Sequence, residues 1–339
     1  MRVIDLHCDT LWAMWRHHKQ YVASEEQRYA ALGYCYEDAV SLQKNSLCVD
    51  IEKMKRAGSV AQFFACFIYM DEIHGEDRWM KGYQQALEML AFGKEKITTC
   101  SKDLSLLLKF DDMGKNDTNG KISAILTVEE GGILDGDLTR LDRLYQEGIR
   151  LITLTWNHEN CIGHPNSRDT RPMGLGLKPF GIEVVERMNE LGMVIDVSHM
   201  SDGGFWDVLK YSKKPIVASH SNARSLCNHP RNLSDEMIKA LAEKGGVAGV
   251  NFYPYFVREN GKIFAEDIAD HIVHMYQVGG EDFVAIGTDF DGFDEGESDV
   301  KDIGQMRYVY DIVKQRGFTE SQMEKFWYRN ALRVLQAVL

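Results

Sequence analysis

The sequence predicts an α/β fold, a single (β/α)8 TIM-like barrel, and three observations support this prediction. Eight short segments are rich in Val, Ile, Phe or Thr, a composition typical of buried strands. Stretches with helical spacing lie between most of them, and this alternation indicates parallel βαβ units. The chain has 339 residues, enough for such a barrel, which typically needs about 250. The same length also allows two domains of about 150 residues each.

No linker rich in Pro, Gly or Ser divides the chain, since its six prolines are scattered. We therefore expect residues 1–339 to form one domain in which eight units close into a barrel. The predicted strands are Val3–Asp9, Val60–Tyr69, Ile122–Glu129, Ile149–Trp156, Met193–His199, Pro215–Ser221, Val247–Tyr253 and Val284–Phe290. The predicted helices are Trp79–Ile97, Leu138–Glu147, Ile182–Leu191, Gly204–Tyr211, Glu236–Lys244, Ala265–Val278, a segment near Asp302–Gln315, and Ser321–Val338.

Three segments fall outside this alternation. The polar run Asp111–Lys121 is predicted to be a surface loop, and Trp12–Asn45 and Asn157–Lys178 are longer insertions after the first and fourth strands. On a barrel, segments that follow strands lie on the C-terminal face, where binding sites are built. We expect Thr319 or Ser321 to cap the last helix.

Charge and cysteine content exclude several classes of protein. The chain has 39 Lys and Arg against 51 Asp and Glu, a net charge of −12, which argues against nucleic-acid binding. No run of about 18 apolar residues predicts a transmembrane helix, and the first residues show no signal-peptide pattern. The seven cysteines form no C-x-x-C pair and are expected to be reduced thiols. These features favour a cytoplasmic protein that binds neither nucleic acid nor membrane.

Histidines and acidic residues occur where the predicted strands end. The candidates are His7, Asp9, Glu129, His199, His220 and Asp289. Because the carboxyl ends of barrel strands converge on one mouth, we expect these side chains to lie together. Taken singly, each has a structural alternative: a strand-end histidine is usually hydrogen-bonded, Glu129 could cap a helix, and Asp289 could stabilise the turn before Gly292. Their convergence favours a set of ligands for a divalent ion such as zinc.

The spacing His7-x-Asp9 places both side chains on one side of a strand, so that they can bind one ion together. Six candidates exceed the four positions of a tetrahedral zinc ion, and two ions that share a carboxylate would use the excess. The predicted chemistry is hydrolysis of a C–N or ester bond by a metal-bound hydroxide. Asp289 is the candidate acid/base because it lies on the last strand, remote in sequence from the paired ligands.

Motifs along almost the whole chain resemble the membrane (renal) dipeptidases, a family of zinc metallopeptidases that includes soluble bacterial members. The matching segments are Val3–Thr10, Val49–Asp50, Gln62–Phe64, Leu126–Gly132, Gly148–Thr155, Ile195–His199, Ser219–Arg224, His229–Asn232, Val250–Tyr253, Gly287–Gly292 and Asn330–Val334. The resemblance implies a (β/α)8 barrel with two zinc ions, a small dipeptide as substrate, and a homodimer.

The resemblance also implies five metal ligands. His7 and Asp9 would bind one zinc ion, His199 and His220 the second, and Glu129 would bind both. The neighbouring Glu130 competes for the bridging position, because the family pattern is usually Glu-Gly-Gly. The spacing to the Gly148 segment favours Glu129, and adjacent strand residues point to opposite faces, so both cannot easily reach the metals. Asp289 takes the acid/base role in the family pattern as well.

Four residues are implied to bind the substrate. Arg231 would bind the C-terminal carboxylate through its fork of donors, although an arginine in a loop is otherwise usually a solvated charge. Many members have a histidine where this chain has Trp156, which donates one hydrogen bond but carries no charge. Either His158 takes over support of the oxyanion, or the metals provide more of it. Tyr253 completes the set.

The leading hypothesis is a cytoplasmic dizinc dipeptidase that cleaves small dipeptides, with L,D- as well as L,L-dipeptides as candidates. An alternative keeps the metals but acts on N-acyl amino acids or other small amides, whose carboxylate Arg231 would also bind. A third alternative, a non-catalytic metal-binding relative, is less favoured because all five candidate ligands and Asp289 are present.

Overall fold

A computed structural model of the chain describes residues 1–20, 40–294 and 296–339. Its strands are short, buried and mostly separated by helices. They are β1 (Val3–Asp5), β2 (Ser59–Phe67), β3 (Leu104–Leu106), β4 (Ile122–Glu129), β5 (Ile149–Thr153), β6 (Val194–Asp196), β7 (Val217–Ala218), β8 (Val247–Val250), β9 (Lys262–Ile263), β10 (Val284–Ile286) and β11 (Glu297–Ser298).

Eight of these strands close into a parallel barrel in the order β1-β2-β4-β5-β6-β7-β8-β10. The ring closes where Asp5 of β1 pairs with Ile286 of β10. This confirms the predicted barrel, and each of its strands overlaps one of the eight predicted strands. β4 ends at Glu129 as predicted, and the other seven stop earlier: the segment predicted as Met193–His199 is a strand only over Val194–Asp196. The residues that follow leave the ladder, and they include most of the predicted site.

Three strands were not predicted. β3 pairs with the first residues of β4, and β9 pairs with β11 in a separate two-stranded sheet. Segments of two or three residues are too short to show an alternating pattern, so sequence periodicity could not find them.

The helices surround the barrel. They are Thr10–Gln20, Ile51–Ala57, Arg78–Thr99, Phe110–Thr118, Leu138–Gln146, Thr170–Met173, Pro179–Leu191, Asp202–Tyr211, Asp235–Glu243, Pro254–Val257, Ala265–Gly279, Met306–Gln315, Glu320–Glu324 and Asn330–Val338. A π-helical turn at Lys325–Arg329 joins the last two. The predicted helices are present with ends shifted by a few residues, and Thr319 rather than Ser321 caps the final helical segment.

Two apolar layers stabilise the barrel. The larger lies between the strands and the surrounding helices. The smaller contains Ile4, Phe63, Ile125 and Leu151 from neighbouring strands, together with Val334 from the C-terminal helix. Because these branched and aromatic side chains fill the interior, the barrel is a packed core and not a pore. Polar functional groups are left to the ends of the strands.

The two predicted insertions differ in structure. Trp12–Asn45 begins inside the helix Thr10–Gln20, while residues 21–39 of this segment lie outside the described residues. Asn157–Lys178 follows β5 and contains the short helix Thr170–Met173. Both segments leave the carboxyl end of a barrel strand, as expected for parts that build the mouth.

Within the described ranges, none of the helices combines the length and apolar character that crossing a membrane requires. Six cysteines in these ranges are free thiols: Cys8, Cys48, Cys66, Cys100, Cys161 and Cys227. Cys35 lies outside the described residues.

The prediction of a loop at Asp111–Lys121 is wrong. Most of this run belongs to the helix Phe110–Thr118. The Asp112 carboxylate accepts hydrogen bonds at 3.1 Å from the two backbone N–H groups that precede the helix. Met113 and Asn116 are buried, and the Asn116 amide donates to a buried serine hydroxyl. Capping and one tertiary hydrogen bond thus stabilise a helix whose few apolar positions gave no periodic signal.

Substitution Asp112→Ala should lower the free energy of unfolding by about 1 kcal/mol, because two N–H groups at the helix start lose their acceptor. Urea unfolding followed by circular dichroism measures this change. Asp111→Ala is the matched control, since Asp111 is exposed, and it should have a clearly smaller effect. Equal losses in the two variants would show that the two hydrogen bonds of Asp112 add no stability beyond that of an exposed carboxylate at the same helix start.

Candidate metal centre

Six of the predicted site residues lie together at the carboxyl ends of the barrel strands. His7 and Asp9 follow β1, Glu129 ends β4, His199 follows β6, His220 follows β7, and Asp289 follows β10. Their ligand atoms form three overlapping groups, in each of which all atoms lie within 4.8 Å of one another. Barrel closure therefore brings together side chains that are as far apart in the sequence as His7 and Asp289.

Glu129 lies at the centre of this group, and its two carboxylate oxygens face different partners. Oε2 lies 3.2 Å from Nε2 of His7. Oε1 lies 3.0 Å from Nε2 of His199 and 3.5 Å from Nε2 of His220. On the first side, Asp9 Oδ2 lies 3.2 Å from His7 Nε2. The donors thus divide into two sets that share one carboxylate.

The donor atoms fit divalent metal ions. Nε2 of His199 and Nε2 of His220 lie only 3.1 Å apart, close to the roughly 3.3 Å between ligand atoms of a tetrahedral zinc site. Among the described residues, the buried atoms His7 Nδ1 and Asp9 Oδ1 have no hydrogen-bond partner. Nitrogen and carboxylate oxygen donors suit zinc. These residues can therefore hold metal ions on both sides of Glu129.

The protonation of His199 and His220 agrees with this use. Burial lowers the pKa of His199 to about 4, and the Arg231 charge adds to this effect. Burial and the charge of His7 also hold the pKa of His220 well below its usual value. Both rings are therefore neutral at pH 7, the state in which an imidazole nitrogen can bind a metal. At His7 burial acts to lower the pKa, but the charges of Glu129 and Asp9 outweigh it and raise this pKa well above its usual value.

The carboxylates show the cost of crowding negative charge in a buried site. Burial raises the pKa of Asp9 and of Asp289, and the nearby Glu129 charge contributes in both cases. Burial also acts to raise the pKa of Glu129, but the charge of His7 and hydrogen bonds from the imidazoles outweigh it and lower this pKa. A bound cation would stabilise all three carboxylates in their charged form.

A second layer of residues orients His220. Its Nδ1 lies 2.7 Å from Ser219 Oγ, which donates to Asp196 Oδ2 at 2.6 Å. Asp196 also accepts from Thr153 Oγ1 and from the backbone N–H groups of Ser198 and Ser219. This buried carboxylate thus joins the ends of β5, β6 and β7 and fixes the imidazole ring. The sequence showed Asp196 and Ser219 within strand-end motifs, but nothing distinguished their role.

Asn251 was also missed by sequence reasoning. Its Nδ2 donates to Asp289 Oδ2 at 2.8 Å and to the His220 carbonyl oxygen at 3.2 Å. One amide therefore positions the candidate acid/base relative to a candidate ligand. Asp289 and His199 both have positive φ, 62° and 67°, a conformation that costs energy in residues other than glycine. The surrounding hydrogen bonds hold the backbone in this form.

Glu130 points away from the donor group. Its φ of 114° turns the chain immediately after β4. Oε1 accepts from the Gly132 backbone N–H at 2.7 Å and from Asn160 Nδ2 at 2.6 Å, and Oε2 accepts from the Trp156 backbone N–H at 3.3 Å. The structure therefore brings Glu129, and not Glu130, to the other candidate ligands, while Glu130 holds the loop after β5.

Comparison with known proteins identifies the family. A model of the membrane dipeptidase family, peptidase family M19, matches residues 1–339. The chain belongs to this family. It is a metallo-dipeptidase, a hydrolase of the class that the sequence motifs predicted.

Two relatives are each 34% identical in sequence to this dipeptidase over the aligned residues. One is an uncharacterized protein encoded in the pqqA 5′ region of Klebsiella pneumoniae, aligned over 74% of this chain and 95% of that protein. The other is an uncharacterized dipeptidase of Schizosaccharomyces pombe, aligned over 84% of this chain and 71% of that protein.

Two crystal structures show the same fold. A dipeptidase of family M19 superposes with a TM-score of 0.85 at 25% identity, covering 100% of this chain and 98% of the other. A metallopeptidase from Rhodobacter sphaeroides, solved with a phosphinate mimic of the dipeptide L-Ala-D-Ala, gives a TM-score of 0.84 at 24% identity. The second superposition covers 100% of this chain and 99% of that one.

Arg231 lies next to the donor group of the dipeptidase and is buried. Its guanidinium donates to Ser221 Oγ and to the His220 carbonyl oxygen, and it lies 5.1 Å from the Phe256 ring. The buried Nε has no hydrogen-bond partner among the described residues, and no ion pair joins this guanidinium to a described carboxylate within 4.0 Å. A buried cation with a free donor is suited to receive an anionic ligand.

The mouth of the barrel contains a cavity of about 750 Å³, lined by residues that include Asp9, Glu129, Asp289, Trp156 and Tyr253. This volume is in the range of small-molecule sites. Trp156 and Tyr253 were predicted to bind substrate, and both lie on its wall. Arg231, predicted with them, is not among the described residues that line the cavity; its guanidinium lies against Phe256, which does line it.

His158 lies elsewhere. Its Nε2 is 2.8 Å from Asp71 Oδ1, and it is not among the described residues that line this cavity. The position of the family histidine is therefore filled by the Trp156 ring, 6.2 Å from the His199 ring, while His158 pairs with a carboxylate outside the cavity. Asn157, which separates Trp156 and His158 in the sequence, was not predicted to be a site residue. Its Oδ1 lies 3.3 Å from His199 Nδ1.

Proposed function

We propose that this dipeptidase hydrolyses small dipeptides at a centre of two zinc ions. His7 and Asp9 would hold one ion, His199 and His220 the other, and Glu129 both. The observation that carries the proposal is the division of the Glu129 contacts, with Oε2 near His7 and Oε1 near the other two histidines. Zinc ions supply Lewis acidity and lower the pKa of water to about 7 in favourable sites.

Asp289 is proposed as the acid/base. Its Oδ1 lies 3.7 Å from His7 Nε2, its Oδ2 is held by Asn251, and its side chain borders the cavity. A carboxylate fixed in this way can take a proton from the attacking water and give it to the leaving amine.

Arg231 is proposed to bind the substrate's C-terminal carboxylate. Its Nη1 and Nη2 groups donate to Ser221 and to the His220 carbonyl, and its Nε has no partner among the described residues. A carboxylate here would supply the counter-charge that the buried guanidinium lacks. Tyr253 lines the cavity on the same side and would complete this end of the substrate site.

Both L,L- and L,D-dipeptides are candidate substrates, because Arg231 binds a carboxylate irrespective of the side chain beside it. N-acyl amino acids present the same carboxylate, so they remain the second candidate class. Parallel assays of L,L-, L,D- and D,L-dipeptides and N-acyl amino acids would distinguish the two classes. We also propose that residues 1–339 act as one domain; the cytoplasmic location and the homodimer stay predictions.

Substitution Glu129→Gln should reduce the metal content of purified protein from about two ions per chain to one or fewer, because a neutral amide replaces the shared carboxylate. Elemental analysis measures this ratio. Glu130→Gln is the matched control: it changes the adjacent carboxyl group, which faces backbone N–H groups and Asn160, and should leave the content near two. Full metal content in Glu129→Gln would contradict the shared-carboxylate arrangement.

Substitution Asp289→Asn should lower kcat about 10²- to 10⁴-fold while metal content stays the same, because the amide cannot transfer the proton. Steady-state assays with one dipeptide, combined with elemental analysis, test both parts. Asp294→Asn changes an exposed carboxylate of the same cavity and should keep most of the wild-type kcat. Turnover near the wild-type value in Asp289→Asn would remove this residue as acid/base.

Substitution Arg231→Ala should raise KM for dipeptides roughly 10- to 100-fold, the loss expected for a charge-assisted hydrogen bond. Arg187→Ala serves as the control, because Arg187 lies on the helix Pro179–Leu191 and is paired with Asp142 and Glu190 away from the cavity lining. An unchanged KM in Arg231→Ala, in protein with normal metal content, would require another carboxylate anchor.

A further inference from the structure

One side of the cavity is formed by four aromatic rings, which we call the aromatic wall: Trp12, Phe67, Tyr69 and Trp156. Ring centroids are 5.2 Å apart for Trp12 and Phe67, 5.0 Å for Phe67 and Trp156, and 5.6 Å for Tyr69 and Trp156. All three pairs meet edge to face, the geometry that aromatic pairs prefer. The four rings therefore form a continuous apolar surface.

The order of the barrel strands places this wall opposite Arg231. Trp12 follows β1, Phe67 and Tyr69 end or follow β2, and Trp156 follows β5, so the wall lies on the half of the ring formed by β1, β2, β4 and β5. Arg231 follows β7 in the other half, with its guanidinium against Phe256, which follows β8. The metal-ligand candidates come from both halves: His7, Asp9 and Glu129 from the half that carries the wall, and His199 and His220 from the half that carries Arg231.

This arrangement fixes the direction of a bound dipeptide. Two residues span at most about 7 Å, so a substrate with its carboxylate at Arg231 and its amide bond at the donor group extends its N-terminal residue away from Arg231. From the aromatic wall we infer that the side chain of this N-terminal residue packs on Phe67, Tyr69 and Trp156, and that the enzyme selects dipeptides with a large apolar N-terminal residue. This inference rests on the proposed dipeptidase function.

Charges at the edge of the wall do not favour a charged side chain there. Arg16 pairs with Glu72 at 2.7 Å and lies 5.3 Å from the Trp12 ring. His158, 5.9 Å from the Trp156 ring, is paired with Asp71 at 2.8 Å. Each of these positive or titratable groups already has a carboxylate partner. The wall therefore offers ring surface and no unpaired charge to the substrate.

Trp156 makes the wall continuous, because its ring contacts both Phe67 and Tyr69. The resemblance of the sequence motifs implies a histidine at this position in many family members. The replacement removes a group that can be charged and adds apolar area at the same point of the mouth. It is therefore a candidate determinant of specificity in this chain, acting through contact with the substrate side chain.

The test uses the zinc-loaded 339-residue chain and two series of dipeptides, X-Ala and Ala-X, with X as Gly, Ala, Leu, Phe or Lys. We expect kcat/KM to rise roughly 10- to 100-fold from Gly-Ala to Phe-Ala, the range for burying one large apolar side chain. Lys-Ala should be poor. A flat X-Ala series, or a preference confined to Ala-X, would overturn the assignment.

Variants assign the effect to the wall. Trp156→Ala and Tyr69→Ala should each reduce the ratio of Phe-Ala to Gly-Ala kcat/KM at least several-fold, whatever happens to the absolute rates. Trp206→Ala removes an exposed indole far from the cavity lining and should leave the ratio unchanged. An unchanged ratio in both wall variants contradicts the proposal. Failure to cleave any dipeptide would instead refute the proposed function itself, which is a separate outcome.

Discussion

The site depends on one buried carboxylate that is shared by three imidazoles. Glu129 contacts His7 with one oxygen and His199 and His220 with the other, and these four groups come from β1, β4, β6 and β7. In water each of these groups would be solvated separately and would need no contact with the others. In the dry interior the carboxylate needs partners. The strands that carry its imidazole partners therefore end close to the end of β4.

Seven of the eight barrel strands end earlier than predicted, and side-chain alternation explains why. A regular strand alternates its side chains between two faces, which cannot direct several successive polar groups to one point. After Asp196, Ala218 and Ile286 the chain leaves the ladder, and His199 and Asp289 adopt positive φ. Buried hydrogen bonds offset this strain: Asp196 accepts four, and Asn251 holds Asp289. The site is thus built from backbone that is locally unfavourable and held by the fold.

Sequence patterns predicted the parts of this molecule that repeat or that use chemically distinctive residues. Eight apolar segments predicted the barrel, and histidines at strand ends pointed to the residues that the structure collects. Asp112 escaped prediction because its two backbone partners mark a helix start that no apolar periodicity indicated. Asn251 escaped prediction because its partners, Asp289 and the His220 carbonyl, are brought to it by tertiary structure. The same limit applies to His158, which sequence could place next to Trp156 but not on Asp71. Periodicity reports burial, whereas the partner of a polar side chain depends on which loops meet at the mouth.

Trp156 shows how the barrel separates chemistry from specificity. The residues near Glu129 come from strand ends, where the hydrogen-bond network leaves little freedom to change. Trp156 lies one step further along the chain, in a loop that Glu130 holds through the Trp156 backbone N–H and Asn160. Because this contact uses the backbone and not the indole, the side chain at this position can change without disturbing the loop. A histidine there can serve the reacting carbonyl, and a tryptophan can serve the substrate side chain, while Glu129 and its partners stay in place.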